Sequence, residues 1–321
     1  MSTVSGLMWV EKYRPKRLED MVDQREVVES LTHLLSRPAE MPHLLFSGPP
    51  GNGKTTAALC IARQIFGEEW REFTLELNAS DERGINIVRS KVKTFSRFRG
   101  MSTELPFRLI ILDEADMMTS EAQTALRRIM EQSAERTRFC LICNYSSRII
   151  SPIQSRCAVF KFRPLAREDF ESYLSRICEK EEVAFDEDAL EEIYRISGGD
   201  LRKGLNILQS SASVRGSVTA EAVRDLAGVG LVAGVREVLE SAVSGNYIEA
   251  RRRLFEYMGT LGLSGTDVIR FMMTALEEMG RLDSGIVDVL AEYDFRLLEG
   301  ANEDIQLSAL LAKLTAAFQG S

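Results

Sequence analysis

The chain has 321 residues, of which 45% are hydrophobic and 27% charged, as is typical of a globular protein with two or three domains and no bilayer-spanning run. Two histidines and five scattered cysteines argue against a histidine-based catalytic triad, a histidine-rich metal site and a disulfide framework, so we expect free thiols in a reducing cytoplasm. The net charge of −8 divides into +4 for residues 1–163 and −12 for residues 164–321, so a polyanionic partner would bind the first part.

Residues 1–163 are predicted to form an α/β domain. Five short apolar runs, bounded by polar residues, Gly or Pro, alternate with segments of helical periodicity. The predicted strands are, in chain order, HLLFS, FTLELN, FRLIILD, RFCLICN and AVFKF. Because strands that alternate with helices usually pair in parallel, we expect a mainly parallel sheet flanked by helices on both faces. Cys140 and Cys143 lie in the fourth run and are expected to pack in the core on opposite sides of the strand.

After Pro164 the strand signals stop and only helical periodicity remains. The predicted helices of the middle region are 167–182, 186–197, 201–213 and 219–227, which define a helical domain over residues 164–228. The last region is predicted to contain helices 233–244, 246–261, 264–280, 283–297 and 302–318, which define an all-α domain over residues 229–321. The Gly-rich segment 227–234 is the candidate boundary between these two domains.

A phosphate-binding loop follows the first predicted strand. The sequence GPPGNGKT, from Gly48 to Thr55, matches G-x-x-x-x-G-K-[ST] and precedes a helix. Its glycines would let backbone N–H groups surround phosphate oxygens, Lys54 would reach the β- and γ-phosphates, and the Thr55 hydroxyl would hold Mg²⁺. The predicted nucleotide contacts are Gly48, Pro49, Pro50, Gly51, Asn52, Gly53, Lys54, Thr55 and Thr56. The side chain of Asn52 is expected to point away from the phosphates.

Polar residues also end the third and fourth predicted strands. Asp113 and Glu114 follow four apolar residues, at the sheet edge where ligands bind in open α/β folds. Asp113 would hold hydrated Mg²⁺, and Glu114 would orient or deprotonate the attacking water. Asn144 would hydrogen-bond the γ-phosphate or that water, and a simple turn-forming role is an equally good interpretation of this residue alone.

A basic stretch runs from Arg83 to Thr103, with six basic residues and no acidic one. Arg89, Lys93 and Arg97 recur every four residues and would share one face of a helix. With Arg83 they are predicted to contact the phosphodiester backbone of a nucleic acid. From the sequence alone, an ordinary solvated helix face explains the pattern equally well.

Several longer motifs narrow the interpretation. They are WVEKYRP at 9–15, LNASDERG at 77–84, DEAD at 113–116, NYSS at 144–147 and PIQSRC at 152–157. The loop, the strand-end carboxylates and the strand-end amide, in this order, resemble the AAA+ ATPases. With the longer motifs, nearly the whole chain resembles the small subunits of archaeal and eukaryotic replication factor C, the sliding-clamp loader family. That resemblance implies a P-loop AAA+ core, a helical lid and an all-α collar that forms oligomers.

The resemblance also implies roles for particular residues. Arg156, in the SRC motif, would contact the γ-phosphate of nucleotide bound by the neighbouring subunit, and the alternative is that it supports its own helix C-terminus. Arg202, at the start of a lid helix, matches the second sensor of the family, with Lys203 beside it. Tyr13, Arg14 and Val22 would line the adenine and ribose pocket.

Partners and location follow from the same resemblance. It implies ATP and Mg²⁺ as ligands, and a complex with other small subunits and a large subunit that opens a sliding clamp and loads it onto primer-template DNA without reading bases. No membrane association is expected; the location would be cytoplasmic in an archaeal-type cell and nuclear in a eukaryote. Residues 98–106 occupy the position where the family meets the clamp, but they lack its Gly- and Pro-rich character, so no clamp contact is assigned.

Two other functions were weighed against the clamp loader. A DNA translocase or initiator ATPase of similar core fold would need a basic DNA-binding appendage, and the acidic segment 231–321 shows none. A structural subunit that binds nucleotide without hydrolysing it would be favoured by loss of Lys54 or Glu114, and both are present. The motifs therefore favour an ATP-hydrolysing subunit.

Overall fold

The computed structural model describes residues 8–79, 90–92, 94–95, 107–226, 229–261 and 263–319. The chain separates into two compact units, Met1–Val223 and Arg224–Ser321. The first unit holds both the sheet and the helices that follow it, and the second is helical. The finer division at residues 163 and 228 stays a prediction.

The first unit is built on a five-stranded sheet in which every pairing is parallel. Its strands are β1 (His43–Ser47), β2 (Thr74–Asn78), β3 (Arg108–Asp113), β4 (Thr137–Cys143) and β5 (Cys157–Lys161). The spatial order is β2-β3-β4-β1-β5, so β1 is flanked by β4 and β5. The predicted parallel α/β sheet is confirmed, and all five predicted runs form its strands.

Helices surround the sheet and continue beyond it. Those of the first unit include α1 (Trp9–Lys12), α2 (Arg25–Leu35), α3 (Lys54–Phe66), α4 (Trp70–Phe73), α5 (Ser120–Ser133), α6 (Ser151–Gln154), α7 (Arg167–Lys180), α8 (Glu187–Ser197) and α9 (Leu201–Arg215), and α10 (Ala220–Leu226) spans the end of this unit. Single 3₁₀ turns lie at Leu18–Asp20, Pro38–Glu40, Gly67–Glu69, Ala115–Met117 and Ser146–Arg148.

The expectation that strands stop after Pro164 needs one correction. Two further strands, β6 (Ala184–Phe185) and β7 (Ser217–Val218), pair in parallel among the helices. Each contains two residues, and so short a segment shows no alternation of polar and apolar residues by which it could be recognised.

The sheet is covered on both faces because its side chains alternate in direction. Leu44 and Phe46 pack on one face with the buried residues of α3, and Leu45 packs on the other with those of α5. Cys140 and Cys143 lie in these two opposite core clusters. Both are buried free thiols whose pKa is raised by desolvation, as expected for packing residues.

The helices after the sheet form a core of their own, to which the N-terminal helix contributes. Trp9 of α1 packs with Phe170 and Leu174 of α7, Ile193 of α8 and Leu208 of α9. The segment after α1 therefore leads from these helices to the sheet. This position brings residues 13–22 close to the loop that follows β1.

Five helices begin in the described part of the second unit, namely α11 (Val229–Val243), α12 (Tyr247–Leu261), α13 (Gly265–Glu278), α14 (Ser284–Leu298) and α15 (Glu303–Gln319). Val238, Leu254, Met272, Leu290 and Leu311 are among the buried residues of its core. Ser264 and Asp267 form a reciprocal capping box that begins α13.

Within the Gly-rich segment 227–234, α11 begins at Val229 and runs through Gly234, and the role of the segment as a domain boundary stays a prediction. A Cβ at Gly234 would lie 2.9 Å from the ring of Tyr257, so the glycine makes room for a side chain of α12. Among the described residues, no helix is long and apolar enough to cross a bilayer.

Candidate functional site

The predicted site residues meet at one edge of the sheet. Strands β3, β4 and β1 are neighbours, and their carboxyl ends lead into Asp113–Glu114, Asn144 and the Gly48–Thr55 loop. Ligands of open parallel α/β sheets bind at this edge. A cavity opens here, and Lys54, Glu114, Asn144 and Arg202 all line it.

Two positions of the loop after β1 require glycine. Gly48 has φ +146° and Gly51 has φ +72°. A Cβ would lie 2.2 Å from the carbonyl oxygen of Phe162 in the first case and 1.8 Å from a carboxylate oxygen of Asp200 in the second. The loop therefore combines an unusual backbone with close approach of the segments beside it, which a side chain would prevent.

Lys54 is held inside the loop. The residue is 7% exposed, and its Nζ donates to the carbonyl oxygens of Gly48 and Pro49 at 2.7 and 2.6 Å and to Oδ1 of Asn144 at 3.1 Å. Desolvation lowers the pKa of Lys54, and the nearby Asp113 carboxylate opposes that shift. A phosphate oxygen would be a stronger acceptor for this ammonium than the loop carbonyls.

Thr55 and Asp113 form the pair of oxygen ligands predicted for Mg²⁺. The Thr55 hydroxyl donates to Oδ2 of Asp113 at 2.7 Å. The other oxygen, Oδ1, accepts the backbone N–H of Glu114 at 2.8 Å, which orients the carboxylate. A hydroxyl and a carboxylate at hydrogen-bonding distance fit the few protein oxygens by which Mg²⁺ is usually held beside a phosphate.

Glu114 has a left-handed backbone conformation, with φ +53°. Few non-glycine residues adopt this region, and such residues concentrate at functional sites. The strained turn ends β3 and begins the 3₁₀ turn Ala115–Met117. Its side chain lines the same cavity as Lys54 and Thr55, as required of a residue that contacts an attacking water.

Asn144 is held by a residue to which the sequence analysis gave no role. Oδ2 of Asp116 accepts the backbone N–H groups of Asn144 at 3.1 Å and Tyr145 at 3.0 Å. Asp116 is 8% exposed, so a buried carboxylate ties the turn after β3 to the end of β4. The signal was the last letter of the DEAD motif, but its partner is 28 residues away in sequence.

Apolar residues also line the cavity. Its lining includes Val10, Met21, Val22, Leu165, Leu201 and Leu205, together with the predicted residues Tyr13 and Arg14. The Tyr13 hydroxyl donates to Glu181 at 2.5 Å, and the Tyr173 hydroxyl donates to the carbonyl oxygen of Tyr13 at 2.7 Å. Apolar residues beside a phosphate loop suit the binding of a nucleoside base.

Arg202 and Lys203 are clearly distinguished by the structure. Arg202 lines the cavity. Lys203 instead donates its Nζ to the carbonyl oxygen of Ile196, near the end of α8, at 2.7 Å. Of the two neighbours, only Arg202 is thus placed for contact with a nucleotide.

The remaining loop residues are also near the cavity. Pro50 and Thr56 line it, whereas Gly48 and Pro49 contribute the carbonyl oxygens that hold Lys54. Asn52 is 3% exposed, and neither polar atom of its side chain has a hydrogen-bond partner among the described residues. The direction predicted for this side chain stays a prediction.

Arg156 does not line the cavity of its own chain, as far as the described residues define it. Its Nη2 lies 2.6 Å from Oε1 of Glu131 on α5, and its Nη1 donates to the carbonyl oxygen of Pro152 on α6 at 2.7 Å. The second contact is the support of its own helix that the sequence analysis named as the alternative. The side chain is still 38% exposed, so an outside acceptor can reach it.

The predicted nucleic-acid contacts Arg83, Arg89, Lys93 and Arg97 lie outside the described residues, and so does segment 98–106. Their roles remain predictions from the sequence.

Family models match three successive parts of the chain. The ATPase family associated with various cellular activities (AAA) matches residues 44–165, the RCF1/5-like AAA+ ATPase lid domain matches residues 172–213, and the replication factor C C-terminal domain matches residues 233–313. The Holliday junction DNA helicase RuvB P-loop domain matches residues 13–73. The fold and the site thus define an AAA+ P-loop ATPase with a helical lid and a helical C-terminal region.

Full-length relatives then identify the family. The chain is 51% identical to the replication factor C small subunit of Aeropyrum pernix over 98% of both chains. It is 49% identical to that of Staphylothermus marinus over 97% of this chain and 95% of the relative, and 48% identical to that of Archaeoglobus fulgidus over 96% and 97%. The chain belongs to the replication factor C small subunits, and is an ATPase subunit of the clamp-loader type.

The fold is also similar to that of a DNA motor. The Thermotoga maritima RuvB Holliday junction branch migration motor superimposes with a TM-score of 0.56 and 17% sequence identity, over 84% of this chain and 91% of that chain. At this identity the similarity shows the AAA+ fold alone. The full-length relatives favour the clamp loader over the translocase or initiator alternative.

Proposed function

We propose that this chain binds ATP with Mg²⁺ at the edge of its sheet and couples ATP hydrolysis to the opening of a sliding clamp and its loading onto primer-template DNA. The observation that supports this most directly is the contact network of Lys54, Thr55, Asp113 and Asn144 at the ends of three adjacent strands. Family membership supplies the process to which this chemistry is coupled.

Six polar residues of the cavity would have a role in hydrolysis. Lys54 and Arg202 would bind the β- and γ-phosphates and balance the charge that develops in the transition state. Asn144 would hold the γ-phosphate or the water, and Glu114 would orient that water and accept its proton. Thr55 and Asp113 would hold Mg²⁺, which supplies charge neutralisation on the phosphate oxygens.

Arg156 would act on the nucleotide of the neighbouring subunit. Its partial exposure and its absence from the lining of its own cavity support an acceptor outside the chain. A guanidinium that enters the site from another subunit completes the charge balance only after assembly. Hydrolysis would therefore depend on contact between subunits.

Assembly would use the second unit, the proposed collar over residues 229–321. Phe295, Leu298 and Ile305 of this unit are 64%, 70% and 65% exposed, which is unusual for large apolar side chains. Their burial against other small subunits and a large subunit would stabilise the complex. The acidic charge of this region suits contact with protein rather than with DNA.

Turnover of ATP tests the coupling. The chain, assembled with its large subunit, should hydrolyse ATP faster when the sliding clamp and primed DNA are both present than with either alone. Turnover that is indifferent to both would contradict the proposal. Duplex DNA without a primer end serves as the control for non-specific stimulation.

The basic stretch gives a separate test of DNA binding. Replacing Arg89 and Lys93 together by Ala should weaken binding to primed DNA and lower the slope of log affinity against log salt by roughly 2, about 1 for each lost phosphate contact. Arg37→Ala, which removes a cation that is 76% exposed outside this stretch, is the matched control. An unaltered slope in the double variant would show that DNA binds elsewhere.

A further inference from the structure

We propose that Glu131 is a positioning residue for Arg156: its carboxylate holds the guanidinium in the orientation in which it meets the neighbouring subunit's nucleotide. This inference rests on the trans role of Arg156 proposed above and adds a residue to it. Glu131 itself does not line the cavity that the described residues form, so it would act through the arginine.

Two anchors on different elements hold the guanidinium. Glu131 of α5 accepts Nη2 at 2.6 Å, and the carbonyl oxygen of Pro152, on α6, accepts Nη1 at 2.7 Å. Because each terminal nitrogen has its own anchor, rotation of the guanidinium plane is restricted. Arginine carries five N–H donors, so these two anchors leave donors for an incoming phosphate oxygen.

The elements that carry the two residues are themselves fixed to each other. Gln123, two turns before Glu131 on α5, is 3% exposed. Its amide donates to the carbonyl oxygen of Arg148 at 2.9 Å and accepts the backbone N–H of Ile150 at 2.8 Å. These bonds tie α5 to the segment that leads into α6 and Arg156. The pair is therefore supported by buried hydrogen bonds and not by the surface contact alone.

The charges around Glu131 favour binding of an anion. Nε of Arg127 lies 3.1 Å from the same Oε1 that contacts Arg156. The hydrogen bond from Arg127 and the charge of both guanidiniums lower the pKa of Glu131, so it is ionised at neutral pH. One carboxylate between two guanidiniums leaves an excess of positive charge at an exposed site. A triphosphate on a neighbouring subunit would be attracted to it.

An exposed ion pair often contributes little, so the test must separate positioning from ordinary surface stabilisation. ATP turnover of the complete complex, with clamp and primed DNA, should fall roughly tenfold for Glu131→Ala, because loss of alignment slows the chemical step. Glu131→Gln keeps one anchoring oxygen and should lie between that variant and the unchanged protein. ATP affinity of the purified chain should not change, since Glu131 lies outside its own cavity.

The decisive measurement is a double-mutant cycle. If Glu131 acts through Arg156, the complex with Glu131→Ala and Arg156→Ala together should be as slow as the complex with Arg156→Ala alone. Glu121→Ala, an exposed glutamate at the start of the same helix, is the matched control and should leave turnover unchanged. A further tenfold loss in the double variant would overturn the inference, as would a Glu131→Ala complex that is unchanged or faster.

The two proposals fail in different ways. An Arg156→Ala complex with normal turnover removes the trans role and this inference with it. A slow Arg156→Ala complex, combined with a Glu131→Ala defect that persists in the double variant, removes this inference alone.

Discussion

Lys54 and Arg156 are both cations that we predict to contact a phosphate, but they differ in burial and in the groups that hold them. Lys54 is 7% exposed and is held by two carbonyl oxygens of its own loop and by Asn144 at the end of β4. The side chain of Arg156 is 38% exposed and is held at a surface by Glu131. Lys54 is thus fixed inside its own chain, whereas Arg156 is exposed at the surface of the chain.

This difference separates binding from turnover. The residues that surround Lys54 are already aligned within one chain, so we expect them to bind nucleotide without a partner. On the proposal above, Arg156 would gain its phosphate only when another subunit supplies one. We therefore expect the chain to hold ATP while alone and to hydrolyse it efficiently only after assembly, which is the behaviour a loader needs.

The largest effect is expected inside the chain's own cavity. Glu114→Gln should lower turnover by about 10³-fold while ATP still binds, because the amide retains the shape but cannot accept a proton. Turnover measured with clamp and DNA, together with ATP affinity of the purified chain, checks both parts. Glu121→Gln is the control for loss of one carboxylate. Normal turnover of Glu114→Gln would refute the assignment of the proton acceptor.

The next effect tests the exposed residue Arg156. Arg156→Ala should lower turnover of the complex by about 10²-fold, as expected when one donor to the transition state is lost. ATP affinity of the isolated chain should stay unchanged, in contrast to Lys54→Ala, which should weaken it. Arg37→Ala, which removes a cation that is 76% exposed outside this cluster, is the matched control. Weaker ATP binding by the isolated Arg156→Ala chain would place this arginine in its own site.

Much of the fold followed from local pattern. The central strands β1, β3 and β4 are apolar and short because they are buried on both faces, and the loop and the strand-end carboxylates follow them directly. Residues near in sequence to a strand end are near in space to the sheet edge, so Lys54, Asp113 and Asn144 could be grouped in advance. The pairing order of the strands was not accessible, since it depends on contacts distant in sequence.

Residues that act through distant partners were missed for the same reason. Asp116 binds the backbone at 144–145, and Glu131 meets Arg156, 25 residues later. An acidic residue on a helix has the same local pattern whether its partner is water or an arginine on another element. Two-residue strands such as Ala184–Phe185 give no periodic signal either.

Acid should lower the free energy of unfolding through the buried side chain of His43. His43, at the start of β1, is 8% exposed; its Nδ1 accepts the backbone N–H of Phe139, and burial, with the nearby Arg138, lowers its pKa to about 4. The folded state then binds its proton less readily than the unfolded chain, so the stabilisation is complete above pH 6.5 and is lost towards pH 4. Chemical denaturation should show a loss of about 2 kcal/mol from pH 7.5 to pH 5.

His43→Asn is the matched variant for this measurement. An asparagine oxygen lies near the place of Nδ1 and accepts the same backbone N–H, but it does not titrate. The variant should be less stable at pH 7.5 because the ring contact with Phe139 is lost, and its stability should change little down to pH 5. An unchanged dependence on pH would assign the acid sensitivity to another group.

The smallest effect concerns the link between the two strand ends. Asp116→Ala removes the acceptor of the N–H groups of Asn144 and Tyr145, so the amide of Asn144 should lose its fixed position. Turnover of the complex should fall about tenfold, with ATP affinity changed less, because the contact concerns the reacting end of the nucleotide. Asp116→Asn keeps one acceptor oxygen and should show a smaller loss. If Asp116→Ala lowers stability but leaves turnover intact, Asn144 is positioned by Lys54 and β4 without help from the turn after β3. The buried residues around Lys54 would then stay aligned with fewer contacts than the structure provides.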